Sequence, residues 1–167
     1  MKNLDPSDAH LLRAAEGWLG LGLRAEAAAE LDSISPEHQL HPDVLEARWA
    51  FHAHGREWEA ALDAARALVR AAPDRSSGWL HQAYALRRAA GGGLPQAHAA
   101  LKPAAKKFTR EPIIPFNLAC YACQLGQLEE ARAWFQRALK LGGRKHITLM
   151  AMADEDLKPL WPELPPL

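Results

Sequence analysis

The side chains best equipped for chemistry are two cysteines and eight histidines. Cys120 and Cys123 form a C-x-x-C. In redox proteins the first thiol of that motif sits at a helix N-terminus, where the dipole lowers its pKa. Here both thiols fall inside a helical pattern, on one face, with no strand before them. Zinc needs four ligands and no second cysteine pair exists, so His81 or His98 would have to arrive through packing. The pair reads as small groove-lining or packing residues. His52 and His54 are two apart on a helix and point to different sides. His38 and His41 stand in a loop with no carboxylate or cysteine at ligand spacing, which reads as solvated histidines. No nucleophile elbow, phosphate loop, dinucleotide fingerprint or H-E-x-x-H occurs. Gly91-Gly92-Gly93 opens a helix, whose free amides suit an anion, but Leu94-Pro95 follows where a phosphate loop carries Lys-Ser/Thr. A long turn is the reading. The expectation is a non-enzyme with no metal and no cofactor. The alternative held beside it is a metal- or thiol-dependent enzyme using Cys120 and Cys123.

The elements that position these residues are helices. The chain has 33 Ala and 25 Leu against two Val, four Ile and two Thr. Ala and Leu lose little entropy in a helix, whereas strands need β-branched residues. The fold is therefore expected to be all-α. One landmark repeats along it: Glu26-Ala27, Ala60-Ala61, Gln96-Ala97 and Glu130-Ala131, with the second residues 34, 36 and 34 apart. One turn later come Leu31, Ala65, Leu101 and Phe135, and just before each pair comes a glycine, Gly22, Gly55, Gly92 and Gly126. Apolar helical stretches precede the glycines: 11–21, 44–53, 79–86 and 116–125. The pattern describes a helical hairpin repeated four times. The alanine lets two helices approach, the glycine supplies a left-handed residue that ends the first helix, and Pro73 and Pro112 follow two of the second helices. A lone hairpin cannot bury its apolar face, so neighbours must stack.

This pattern resembles the tetratricopeptide repeat (TPR) family, most fully over Phe116-Asn117-Leu118-Ala119-Cys120-Tyr121 to Arg137-Ala138-Leu139. The resemblance covers roughly residues 8–142. It implies one domain over residues 1–167, a right-handed superhelix (α-solenoid) of about four hairpins at 8–40, 41–74, 75–111 and 112–142, and a C-terminal capping helix within 143–161. Departures from the family pattern are one extra residue before Trp58, Ala65 in place of a large residue, the long Gly91–Gly93 turn, and Pro103 inside a second helix. Trp58 is expected to fill the space beside Ala65, and Pro103 to kink or shorten its helix. Trp18, Trp79 and Trp134 fall at core spacings. Leu157, Leu160 and Trp161 are expected to fold back on the cap, and Pro162, Pro165 and Pro166 to end the ordered chain. This ending is similar to tails that follow the last repeat in some bacterial TPR proteins.

In that family the first helix of each hairpin lines a concave groove where partner peptides lie. The resemblance places Leu12, Glu16 and Leu19 there from the first repeat, Leu45, Trp49 and His52 from the second, Leu80, Tyr84, Arg87 and Arg88 from the third, and Phe116, Cys120, Cys123 and Gln124 from the fourth. Independently of the family, Leu45, Trp49 and His52, and Leu80, Tyr84 and Arg87, each form a stripe at spacings of four and three. That stripe is distinct from the packing stripes of Val44, Ala47 and Phe51, or Trp79, Ala83 and Leu86. An exposed aromatic stripe marks a protein-binding surface, unless the tail or a homodimer covers it. The Lys and Asn clamp that holds chaperone C-termini in some TPR domains is missing, and Arg87 and Arg88 are left to grip an acidic residue of an apolar ligand. The predicted function is a protein–protein interaction scaffold. A secretion-type chaperone holding a client segment is the alternative within binding.

Twenty basic and twenty acidic side chains cancel, so nothing pulls the whole chain toward nucleic acid or an anionic membrane. The cancellation is uneven: the first fifty residues carry net −5 and residues 101–150 net +6. A basic face of Lys102, Lys106, Lys107, Arg110, Arg144 and Lys145 reads as solvated, because only Phe108 interleaves with it. Residues 1–6 lack the apolar core of a signal peptide, and the expected location is cytoplasmic.

Overall fold

A computed structural model describes residues 3–164, and every regular element among them is helical. Pro165 and Pro166, expected to end the ordered chain, lie outside the described residues. The chain divides between Ala85 and Leu86 into two compact units.

The first unit holds α1 (Pro6–Gly20), α2 (Arg24–Ser33), α3 (Pro42–His54), α4 (Trp58–Ala71) and nearly all of α5 (Ser76–Leu86). Pro6 and Pro42 open α1 and α3, where a missing N–H leaves no bond unmade. The landmark alanines Ala27 and Ala61 are fully buried. Leu12, Ala15, Leu31, Ile34, Val44 and Ala47 form one core cluster, with Phe51 packed against it, and Leu45, Leu68 and Ala72 form another. The loop between α2 and α3 carries a short 3-10 turn, Pro36–His38.

The second unit holds α6 (Leu94–Lys107), α7 (Ile113–Gln124), α8 (Leu128–Gly142), the cap α9 (Arg144–Met152) and a 3-10 tail, Glu155–Glu163. Ala97 and Ala131 are fully buried, as are Ile114, Leu118, Ile147 and Leu157. Pro103 does not shorten α6, which runs on for a further turn to Lys107. Proline removes one backbone bond, and the buried Leu101, Ala104 and Ala105 on either side hold the helix in place. Pro162 likewise falls inside the 3-10 tail and does not end it. Leu157 and Leu160 are buried, and the Trp161 indole N–H donates to the Ala151 carbonyl on α9 at 2.9 Å, so the tail does fold back on the cap.

Helix ends show where glycine is needed. Gly22 and Gly126 have φ of +75° and +73°. Gly92 is needed for a different reason: a Cβ there would lie 1.9 Å from the Leu86 carbonyl oxygen. Among the described residues no helix is long and apolar enough to cross a membrane.

Candidate functional site

In the first unit an aromatic row builds up from α3, α4 and α5. Trp49 projects from α3, and the His81 ring of α5 stacks on it at 3.7 Å between centroids and 9° between planes. Tyr84, one turn further along α5, presents its edge to Trp49 at 6.0 Å and to Trp58 of α4 at 5.9 Å. Trp58 therefore meets Tyr84, and Ala65 is fully buried. Burial pushes the His81 imidazole down to about 4, so the ring on Trp49 is neutral at physiological pH. Tyr84 is 40 % exposed, while Trp49, Trp58, Leu80 and His81 are half-buried. Beside the row, His52 Nδ1 lies 2.7 Å from Glu57 Oε2, and the other Glu57 oxygen accepts from Arg24 at 2.8 Å. The Arg24 guanidinium, then His52, holds the Glu57 carboxyl below its ordinary range. Arg24 in turn lies over the Phe51 ring at 4.4 Å.

The remaining groove candidates of this unit sit differently. Leu12 and Leu45 are 7 % and 4 % exposed and belong to the two core clusters, so they pack helices together and are not open surface. Glu16 is exposed and Leu19 half-buried. Trp79 is half-buried and its N–H donates to the Pro73 carbonyl at 3.1 Å. Trp18 and Trp134 are half-buried as well, so none of the three tryptophans expected at core spacings is fully enclosed.

In the second unit the tail lies against α7. The Arg87 guanidinium forks onto the Asp156 carboxylate, Nη1 to Oδ2 and Nη2 to Oδ1 at 3.1 Å. Gln124 Nε2 donates to the Asp156 carbonyl at 3.2 Å, and the Cys120 thiol donates to Asp154 Oδ2 at 3.4 Å. Phe116 and Cys123 are buried with Cys120 along α7, and Arg88 is exposed. Thus four fourth-repeat candidates and Arg87 are enclosed or engaged by the chain's own residues. Burial, followed by the Asp154 charge, drives the Cys120 thiol up, and burial pushes the Cys123 thiol up to about 11. Both thiols are held protonated, which removes the nucleophile a thiol enzyme would use. Among the described residues no three His, Cys, Asp or Glu side chains are grouped to hold a metal ion. His98 is buried on α6 with Nε2 3.5 Å from Glu130 Oε1, and burial lowers its pKa.

The loop histidines overturn one expectation. His38 is not solvated: Nδ1 lies 2.6 Å from Oδ2 of Asp8, which is 2 % exposed. The Ser35 N–H and hydroxyl both donate to Asp8 Oδ1 at 3.2 Å. A pocket of about 510 Å³ opens beside this pair, lined by Asn3, Asp5, Glu37, His38 and His41 among others. Sequence reasoning also missed His81 and Arg132 as site residues. His81 had a signal in its place three residues before Tyr84, on the same α5 face. The sequence left open that the tail covers the stripe, but not which charges would meet, since Arg87 and Asp156 are 69 residues apart.

No family model and no curated protein matches the chain. Solved structures do. It is similar to a thermophilic TPR protein of Thermus thermophilus, with a TM-score of 0.71 at 21% identity over 93% of this chain and 82% of that one. It is also similar to the MamA RS-1 ArsTM double mutant, with a TM-score of 0.68 at 17% identity over 81% of this chain and 75% of that one. The chain has a TPR-type all-helical fold.

Proposed function

We propose that the chain is a protein-interaction scaffold and that its α3–α5 aromatic row takes a segment of the partner. The observation that carries this is the row itself, four rings in contact from His81 through Trp49 and Tyr84 to Trp58, with Tyr84 40 % exposed. Rigid aromatic side chains supply large contact area at little entropic cost and dominate binding energy where they cluster. Of the fourteen groove positions expected from sequence, Trp49 and Tyr84 are members of this row. The TPR-type fold supports the same reading, since stacked hairpins present extended faces for other chains. The thiol alternative is not supported, because its two sulfurs are buried and protonated. Nothing in the geometry favours a client-holding chaperone over a general scaffold.

The test is the double substitution Trp49→Ala, Tyr84→Ala in the full chain. Truncating two such anchors is expected to lower affinity for captured partners by about 2 kcal/mol or more each, which empties a pull-down. Helicity by circular dichroism should remain that of the wild type. Retention of the same partner set by the variant sinks the proposal.

A further inference from the structure

We propose that the surface of the second unit formed by Arg87, α7 and Arg132 of α8 is a second recognition site, for an acidic, leucine-bearing segment of a partner, and that residues 154–163 are its built-in competitor. This inference rests on the reading of the chain as an interaction scaffold, but it concerns residues of the second unit only.

The site is described by what fills it. Arg87 holds the Asp156 carboxylate with a two-point fork, a geometry selective for carboxylate. Seven residues further along the tail, Glu163 is held in the same way by Arg132, Nε to Oε2 at 2.7 Å and Nη2 to Oε1 at 2.7 Å. Between these clamps Leu157 and Leu160 are 0% and 2% exposed. Gln124 reads the backbone carbonyl of Asp156, and Cys120 reads Asp154. The intervening Glu155, Lys158, Pro159 and Pro162 are exposed. Trp161 is held as well, through its N–H to Ala151, so held and free positions spell a pattern: Asp-x-Asp-Leu-x-x-Leu-Trp-x-Glu. A tail serving only to seal apolar surface needs the two leucines; it does not need two arginine forks and a side-chain contact to its backbone. The second unit remains net positive with the tail's four carboxylates included, so an incoming acidic segment is also drawn to it. The tethered tail competes at an effective concentration in the millimolar range. Only a segment matching the pattern displaces it, which makes the tail a selectivity filter.

The probe is a labelled synthetic peptide of residues 153–164, added in trans to the full chain. Asp156→Asn with Glu163→Gln loosens the resident tail and leaves α7 intact. The peptide is expected to bind this variant at least about tenfold more tightly than the wild type, because two charge-assisted forks are lost only from the competitor. A peptide carrying the same two substitutions should not bind. In the wild type, excess peptide should speed amide exchange of residues 155–163 and leave α3 and α5 unchanged. That measurement decides the matter if the variant fails to fold. No binding above a scrambled peptide, with unchanged exchange, makes the tail a structural cap only and overturns the proposal. Trp49→Ala with Tyr84→Ala should leave peptide binding intact, so either site can fail without the other.

Discussion

Asp8 and His38 hold each other charged across the join between α1 and the loop that follows α2. The hydrogen bond from His38, with those of Ser35, lowers the Asp8 carboxyl below its ordinary 3.8, and Asp8 raises His38 above its ordinary 6.5. A raised histidine adds stability that is fully present below 6.5 and is lost as pH rises through the folded value. A lowered carboxylate adds stability present above 3.8 and lost as pH falls through its folded value. The pair thus contributes most between 3.8 and 6.5. His38→Gln keeps the size and a donor but not the charge. The gap in Tm between wild type and His38→Gln should be widest inside that window and narrow on both sides. A gap that stays flat from about pH 3 to about pH 9, a range spanning both ordinary values, would show that packing alone holds the loop.

The hairpin elements were legible because the signals that set them are local. Each landmark alanine is fully buried, and in three of the four hairpins the residue five places before it, Gly22, Arg56 or Gly126, takes the left-handed conformation just past the end of the preceding helix. That spacing explains why Gly55 behaves differently from Gly22 and Gly126. The extra residue before Trp58 moves Gly55 to six places before Ala61, and Arg56 takes the left-handed conformation with φ of 56°. Gly55 stays right-handed as the C-cap of α3. The position obeys the alanine, and the glycine is left one residue early. A long side chain at positive φ is strained by about 1 kcal/mol. Arg56→Gly should therefore raise stability by about 1 kcal/mol in urea denaturation, less the entropy glycine adds to the unfolded chain. A loss of stability would mean that Arg56 makes a contact worth more than its strain. The candidate site was legible to a smaller degree. Stripe spacing found Trp49 and Tyr84, which do meet, but it also selected Leu45, and the family resemblance added Leu12 and Phe116, all three of which are buried. Spacing along one helix gives a face; it does not say whether another segment, such as the tail on α7, already covers that face.

At the scale of the molecule, the zero net charge divides with the fold. Residues 1–85 carry eight basic and thirteen acidic side chains, and residues 86–167 carry twelve and seven, so the two units are −5 and +5. The tail moderates the second value: with Asp154, Glu155, Asp156, Glu163 and Lys158 set aside, that unit would stand at +8. Opposite fields on units of one chain favour pairing of the acidic unit of one copy with the basic unit of another. Such pairing is long-ranged and unspecific, so salt should govern it. At roughly 0.01 M salt the screening length is about 30 Å, and near 0.15 M it falls to about 8 Å. Sedimentation velocity should therefore show concentration-dependent association at the lower salt that disappears at the higher. Asp156→Asn with Glu163→Gln raises the second unit from +5 to +7 and should strengthen the low-salt association without creating one at high salt. Association that persists at high salt would instead point to apolar contact, and the Trp49→Ala, Tyr84→Ala variant would show whether the aromatic row supplies it. A sedimentation coefficient unchanged by salt in both chains would mean the divided charge does not act between copies.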